Sequence, residues 1–346
     1  MGRKGAAPPW TLPGLDWHPS SPFKKPMLSR VADSLYWMAR YLERAGHTAR
    51  ILDVHLNLML DHTSGTEEER WRRLFEGLGR PIPEGMKFEG AGITHFMTLD
   101  RENDASIAAS ITFARDNARQ LREHISSEMW AQLNRLYLRL RDPSAAALLE
   151  ADPHSLLREV IESISLFNGL TFATINHGEC WQFLQIGRHL ERASTLVTLV
   201  GVHFRTYHKK KDAGIPDEDF MEWVGLLKSC AAFEAYCNYY TARFRPKLIA
   251  EFLLLGREFP QAVSFAAQTI EGSLKRISEL NEGKPSDELH RIAGKLAATL
   301  RYGQIDEILN DNLLSYLENV RTQCLLLHNA IFNAYVHFPL ENAIAA

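Results

Sequence analysis

The chain has 346 residues, 45% of them hydrophobic and 23% charged, with a formal net charge of −3. This balance belongs to a packed globular protein with a sizeable core, and it provides no global basic field for nucleic acid. The four cysteines form no C-x-x-C pair and no apolar run reaches the roughly 18 residues that span a bilayer, so free thiols in a reducing cytoplasm are expected rather than a disulfide scaffold or a membrane protein.

Residues 1–26 hold six of the fifteen prolines and lack the apolar core of a signal peptide. They read as a flexible, Pro-rich extension, with the natural start expected at Met27. From Met27 onward the pattern is helical, and prolines such as Pro81, Pro143, Pro153, Pro246 and Pro260 stand where helices stop or start. Thr66 and Glu69 have capping-box spacing and predict a short helix through Leu78. The glycine-rich stretch 80–100 has room for a short extended piece. Over 105–137 a second long apolar face runs through Ile107, Ile111, Ala114, Ala118, Leu121, Ile125 and Met129, with Arg115, Arg119, Arg122 and Ser126 striped along its border. Border guanidiniums of this kind either pair with carboxylates of a neighbouring helix or clamp a carboxylate or phosphate. Ser126, Ser127, Glu128 and Trp130 mark where one helix ends and the next begins. The lysine run in 208–219 reads as a solvated loop.

The chain also repeats itself. LYWMARYLERAGHTARILDVH (35–55) aligns with FLQIGRHLERASTLVTLVGVH (183–203) at an offset of 148, matching Arg40, Glu43, Arg44, Val54 and His55 with Arg188, Glu191, Arg192, Val202 and His203. Further on the offset becomes 156, with Leu99, Arg101, Glu102 and Ile107 facing Leu255, Arg257, Glu258 and Val263. The expected architecture is an all-α helical bundle forming a single domain over 27–346. It is built from two pseudo-symmetric repeats of about 150 residues, 27–176 and 177–346.

In the first copy Leu35, Met38, Leu42, Ala45, Ala49, Leu52, Leu56 and Met59 alternate at spacings of three and four, the seam of a bundle helix. Phe183, Ile186, Leu190, Ala193, Val197, Val200 and Phe204 repeat it, and Ala45 and Ala193 suit a close approach of helix axes. Arg40, Glu43, Arg44, His47 and Arg50 fall opposite the seam on a helical wheel. One such face is ordinarily a solvated charge stripe. Retention of Arg-x-x-Glu-Arg in both copies points further: the two motifs meet at the pseudo-twofold interface as a salt-bridge network, or they line a shared polar cleft. Glu43 and Glu191 are each expected to pair with an arginine of their own helix or of the Arg115–Arg119–Arg122 stripe.

No P-loop, dinucleotide fingerprint, nucleophile elbow or H-E-x-x-H is present. Glu43 and His47 stand four apart, but Thr195 replaces the histidine in the second copy, so neither a metal nor a cofactor is expected. The aromatic and basic run 233–248 reads as a helix–helix contact.

MLSRVADSLYWMARYLERAGHTARILDV (27–54), ARDNARQLREHISSEMWAQLNRLY (114–137) and WQFLQIGRHLERA (181–193) resemble the bacterial alpha-E family, and the resemblance runs over almost the whole chain after Met27. It implies a setting: such proteins are encoded beside, or fused to, circularly permuted ATP-grasp proteins and transglutaminase-like proteins. The function this implies is an accessory helical subunit binding a peptide, an acidic ligand or a partner enzyme in an ATP-grasp-linked amide-bond system. The alternative is a transferase or hydrolase using Glu43 or Glu191 as general base, with arginines holding an acidic peptide. Gly46, Ser194, Gln261 and Thr198 depart from the family's pattern around the motif.

Overall fold

Local capping chemistry sets the helix boundaries. The structure is a computed structural model describing residues 29–60, 66–207, 219–281 and 287–335, and it is helical, with no strand among the described residues. The first half comprises α1 (Ser29–Leu60), α2 (Glu67–Gly77), α3 (Gly90–Thr98), α4 (Ile107–Gln120), α5 (Ser127–Arg141), α6 (Pro143–Ala151) and α7 (Pro153–Thr174). The second comprises α8 (Glu179–Tyr207), α9 (Phe220–Ser229), α10 (Phe233–Tyr240), α11 (Pro246–Leu255), α12 (Val263–Asn281), α13 (Asp287–Arg301), α14 (Ile305–Asp311) and α15 (Leu313–Tyr335). Thr66 and Glu69 form the reciprocal capping box that opens α2. Ser106 and Ser126 accept from the backbone N–H three residues on and start α4 and α5. Asp142 and Asp152 do the same work ahead of Pro143 and Pro153, whose fixed φ suits a first helical turn.

Two expectations are corrected. The stretch 80–100 holds no strand: 80–89 is irregular, and α3 takes Gly90–Thr98, with the Thr94 hydroxyl donating to the Gly90 carbonyl. An extended piece there has no neighbouring strand to complete its hydrogen bonds, whereas a helix satisfies its own. At the far end of the seam, Leu56 and Met59 are only partly buried. The extension 1–26 and most of the loop 208–219 lie outside the described residues.

The helices α1 and α8 pack against each other at the centre. Helices α4 and α7 cover α1, and α12 and α15 cover α8; α5 bridges α4 and α7, as α13 bridges α12 and α15. The short helices cross over, α2 lying mainly on α8 and α9 mainly on α1. Helices α4 and α12 begin at Ile107 and Val263, the residues that the 156 offset aligns. The two seams are buried from Leu35 to Leu52 and from Phe183 to Phe204, each residue at 3% exposure or less. A Cβ at Gly187 would lie inside the contact radius of the Tyr36 carbonyl oxygen and against Ala39, so at this point the α1 and α8 backbones meet without an intervening side chain.

Gly187→Ala therefore forces the two central helices apart. We expect a loss of about 1–3 kcal/mol in unfolding free energy, measured by urea denaturation; an unchanged midpoint would show that the helices can part without cost.

Candidate functional site

Because α1 and α8 are covered on all sides, the face opposite the seam is not solvated. It meets its counterpart on the other helix. Arg40 donates through Nε to Glu191 Oε2 at 2.7 Å, and Arg44 through Nε to Glu191 Oε1 at 2.6 Å. In the reverse direction Arg192 Nε donates to Glu43 Oε1 at 2.6 Å, and its Nη1 to the Pro260 carbonyl at 2.8 Å. His47 Nε2 stands 3.3 Å from the same Glu43 oxygen, a charge contact without hydrogen-bond alignment. The arginine partners of each carboxylate thus come from the opposite motif helix, rather than from its own helix or from the α4 stripe. Glu43 and Glu191 are 7% and 5% exposed, a depth at which an ionised carboxylate needs such partners.

A second tier surrounds the crossed pairs. Arg40 Nη1 donates to the Tyr36 hydroxyl at 3.1 Å and lies 3.2 Å from His328 Nδ1 on α15; its guanidinium sits over the Trp37 ring. Arg188 donates to Asn168 of α7 at 2.6 Å. Arg80, between α2 and α3, adds its charge beside Arg40, Arg44 and Glu191. Arg50, one to two turns beyond Glu43, lines a groove of about 620 Å³ between α1 and α9. In the same groove Asp53 contacts His154 at 2.6 Å.

Burial opposes ionisation of both glutamates, but adjacent charge outweighs it. Arg192 and His47 hold the Glu43 carboxyl well below the usual value of 4.5, and Arg40 and Arg44 hold Glu191 below it. Burial pushes Arg188 down to about 10 and keeps His189 well below 6.5, with Arg192 and Arg188 adding to the effect. Six guanidiniums, those of Arg40, Arg44, Arg50, Arg80, Arg188 and Arg192, share the field of two motif carboxylates. Such a layer can retain an anion, but its carboxylates are poor proton acceptors.

The structure brings Arg40, Glu43, Arg44, His47, Arg188, Glu191 and Arg192 together and places Arg50 at the margin. It does not bring in Arg115, Arg119, Arg122 or Ser126. The face of α4 carrying Ile111, Ala114 and Ala118 is buried, leaving the arginines outward. Arg115 lies over the Trp130 and Tyr137 rings of α5 and donates to Asn134, and Arg122 lies over Trp130, while Arg119 is exposed. Ser126 is the α5 cap. Sequence reasoning missed Tyr36, Arg80, Asn168, His189 and His328. Their roles come from folding distant segments onto the motif, although Asn168 and His328 occupy matching places on α7 and α15 against Arg188 and Arg40.

Comparison with known proteins adds a family. The model for Alpha-E, a predicted alpha-helical domain with a conserved ER motif, matches residues 27–336; Glu43-Arg44 and Glu191-Arg192 are the ER pairs of the two aligned segments 35–55 and 183–203. Uncharacterized proteins of Mycobacterium bovis and Mycobacterium tuberculosis are 24% identical over 337 residues, covering 90% of this chain. The chain spans 36% of the length of these relatives. No solved structure matches the chain.

Two outcomes follow from the burial. Glu191→Ala strands Arg40 and Arg44 and should cost about 3–5 kcal/mol, read by urea denaturation; a loss below 1 kcal/mol would mean that the guanidiniums find other partners. The pH profile has a fixed sign. His55, His189, His203 and His328 are held below 6.5 chiefly by burial, and the two glutamates below 4.5 by arginine charge. All six groups bind protons more readily in the unfolded chain, so their stabilising contribution is complete above pH 6.5 and declines as the pH falls through 6.5 and then 4.5. Denaturation midpoints measured from pH 7.5 down to pH 4 should decrease in that order, and a midpoint that rises on acidification would contradict the assignment.

Proposed function

The chain belongs to the Alpha-E family, and on that basis we propose an accessory, non-catalytic role: a helical subunit, working in the cytoplasm, that binds a peptide or a partner enzyme in an ATP-grasp-linked system for forming or modifying amide bonds. The observation that carries this reading is the crosswise pairing of Glu43 with Arg192 and of Glu191 with Arg40 and Arg44. Both motif carboxylates are consumed in holding α1 to α8, so neither is a free general base. The rival reading, a transferase or hydrolase using Glu43 or Glu191, requires a carboxylate in an open pocket with a raised proton affinity, and the shift here is in the other direction. The surplus guanidiniums supply what an acidic segment would bind.

The reading takes 27–176 and 177–346 as two copies of one unit meeting at α1 and α8. It is supported by the recurrence of helix order and packing partners in the two halves. It takes the circularly permuted ATP-grasp protein as the first partner and a transglutaminase-like protein as the second. Among the described residues no helix is long and apolar enough to cross a membrane.

Co-purification with the cognate ATP-grasp protein is the direct test. We expect association at micromolar concentration and loss of ligase activity without this subunit. A ligase that is fully active alone and shows no association would overturn the proposal. Replacing Arg40, Glu191 and Arg44 together by Met, Leu and Leu separates structure from binding. A buried ionic cluster replaced by apolar residues of similar volume is commonly neutral in stability, so the variant should fold with a similar midpoint while binding the partner at least about tenfold more weakly.

A further inference from the structure

The turn that ends α2 delivers a charge with no partner of its own. Gly79 adopts a left-handed φ of 64°, its N–H donates to the Glu76 carbonyl, and the Arg80 N–H donates to the Phe75 carbonyl. Together these bonds make a Schellman motif and fix how the chain leaves the helix. Helices α2 and α9 align at an offset of 152, which pairs Trp71 with Trp223, Leu74 with Leu226 and Gly79 with Ala231. Ala231 is left-handed too, with a φ of 50°. Each turn borders a groove that holds one arginine. Beside Ala231 it is Arg50 of α1. At the 148 offset Arg50 aligns with Thr198 of α8, and in that groove the turn itself supplies the arginine, as Arg80.

The Arg80 side chain is half-buried and makes no hydrogen bond or ion pair among the described residues. Burial and the charges of Arg44 and Arg40 oppose its ionised form. Glu191 favours that form, but Arg44 and Arg40 already occupy both Glu191 oxygens. A guanidinium does not shed its proton near neutral pH. Arg80 is therefore held charged beside two like charges, a placement that a bound anion would offset. Local conflicts of this kind concentrate at functional sites.

Arg80 faces a cleft of about 300 Å³ between the end of α2, α8 and the start of α15. The charged lining consists of three arginines, Arg80, Arg205 and Arg321, and two glutamates, Glu76 and Glu318. On the exposed rim Arg205 lies 3.5 Å from Glu76 and Arg321 lies 2.6 Å from Glu318. Arg80 is the charge left over. Val197, Leu314 and Leu317 give the cleft an apolar wall.

The charge count selects the ligand. One surplus positive charge is neutralised by a monoanion. A dianion would bring its second charge against Glu76 and Glu318, and a cation would be repelled by Arg80. A carboxylate matches the guanidinium fork with two parallel hydrogen bonds, and the apolar wall suits an aliphatic substituent. An apolar cavity of about 150 Å³ accepts benzene, so the 300 Å³ here suits roughly a dozen non-hydrogen atoms.

We propose that this cleft binds an aliphatic monocarboxylate, as a free acid or as the C-terminal carboxylate of a peptide, with its oxygens on Arg80 and its chain against Leu314 and Leu317. The assignment rests on the surplus positive charge of the ER layer and not on a partner enzyme, so it and the co-purification test succeed or fail independently.

Titration of the full chain at pH 7 with 3-methylbutyrate and with N-acetyl-L-leucine, followed by calorimetry and ligand-observed NMR, tests the assignment. The neutral 3-methylbutyramide and the dianion succinate are the controls. We expect saturable binding of a monocarboxylate, with each control at least about tenfold weaker. Tighter binding of N-acetyl-L-leucine identifies a peptide terminus as the source, and tighter binding of 3-methylbutyrate a free acid. Arg80→Met should weaken binding by at least about tenfold while leaving the thermal midpoint of the free protein equal or higher, because it removes a charge from beside Arg40 and Arg44. Arg80→Lys keeps the charge without the fork and should retain part of the affinity. Three results would overturn the proposal: no signal up to roughly 10 mM, a concentration that saturates even a ligand with Kd near 1 mM; an amide or succinate that binds as well as the monocarboxylates; or an Arg80→Met protein that binds unchanged. An Arg80→Met protein with a lowered midpoint would also overturn it, since the guanidinium would then be partnered within the fold.

Discussion

Two carboxylates, those of Glu43 and Glu191, are buried in the contact between α1 and α8, and each is neutralised by guanidinium groups of the other helix. Apolar side chains tolerate sliding past one another, but buried ion pairs do not, because a shift by one residue rotates a helical side chain by about 100° and separates the charges. The crossed pairs therefore act as a register lock between the two halves of the chain. Gly187 makes the lock possible by letting the α8 backbone approach Tyr36 and Ala39. Every other packing relationship, from α4 and α7 on one side to α12 and α15 on the other, is referred to this central pair.

A polar layer inside an apolar core commonly adds little net stability, since desolvation offsets most of the Coulomb attraction. Its value here lies in specifying one arrangement of two long amphipathic helices whose seams are otherwise interchangeable rows of aliphatic residues. The second tier continues the same logic. His328 reaches Arg40 from α15, and Asn168 reaches Arg188 from α7, so the outer helices are keyed to the same charges. The guanidinium groups outnumber the motif carboxylates, six to two, so positive charge remains in the layer after its internal pairs are made.

The ends of the central pair differ from its middle. Beyond the lock, α1 and α8 open around α2 and α9, and His55 and His203 line a cleft there, each ring backed by a buried tryptophan, Trp71 or Trp223. Aligned positions there differ in charge, Arg70 against Glu222, whereas the apolar and aromatic neighbours are of the same type, Trp71 with Trp223 and Leu74 with Leu226. At the lock, by contrast, each carboxylate meets a guanidinium.

The sequence by itself determined the helical class, the seams of α1 and α8, the capping of α2, the break near Ser126 and the importance of Arg-x-x-Glu-Arg. These features depend on spacing and on hydrogen bonds within a few residues, which a linear pattern records directly. The tertiary structure alone decided that the motif glutamates pair crosswise, that the Arg115–Arg119–Arg122 stripe turns outward onto the rings of α5, and that Tyr36, Arg80, Asn168 and His328 complete the polar layer. A helical wheel shows which side of a helix is polar but not what that side meets. Arg40 and Glu191 are 151 residues apart, and only the packing of two whole halves brings them within 2.7 Å.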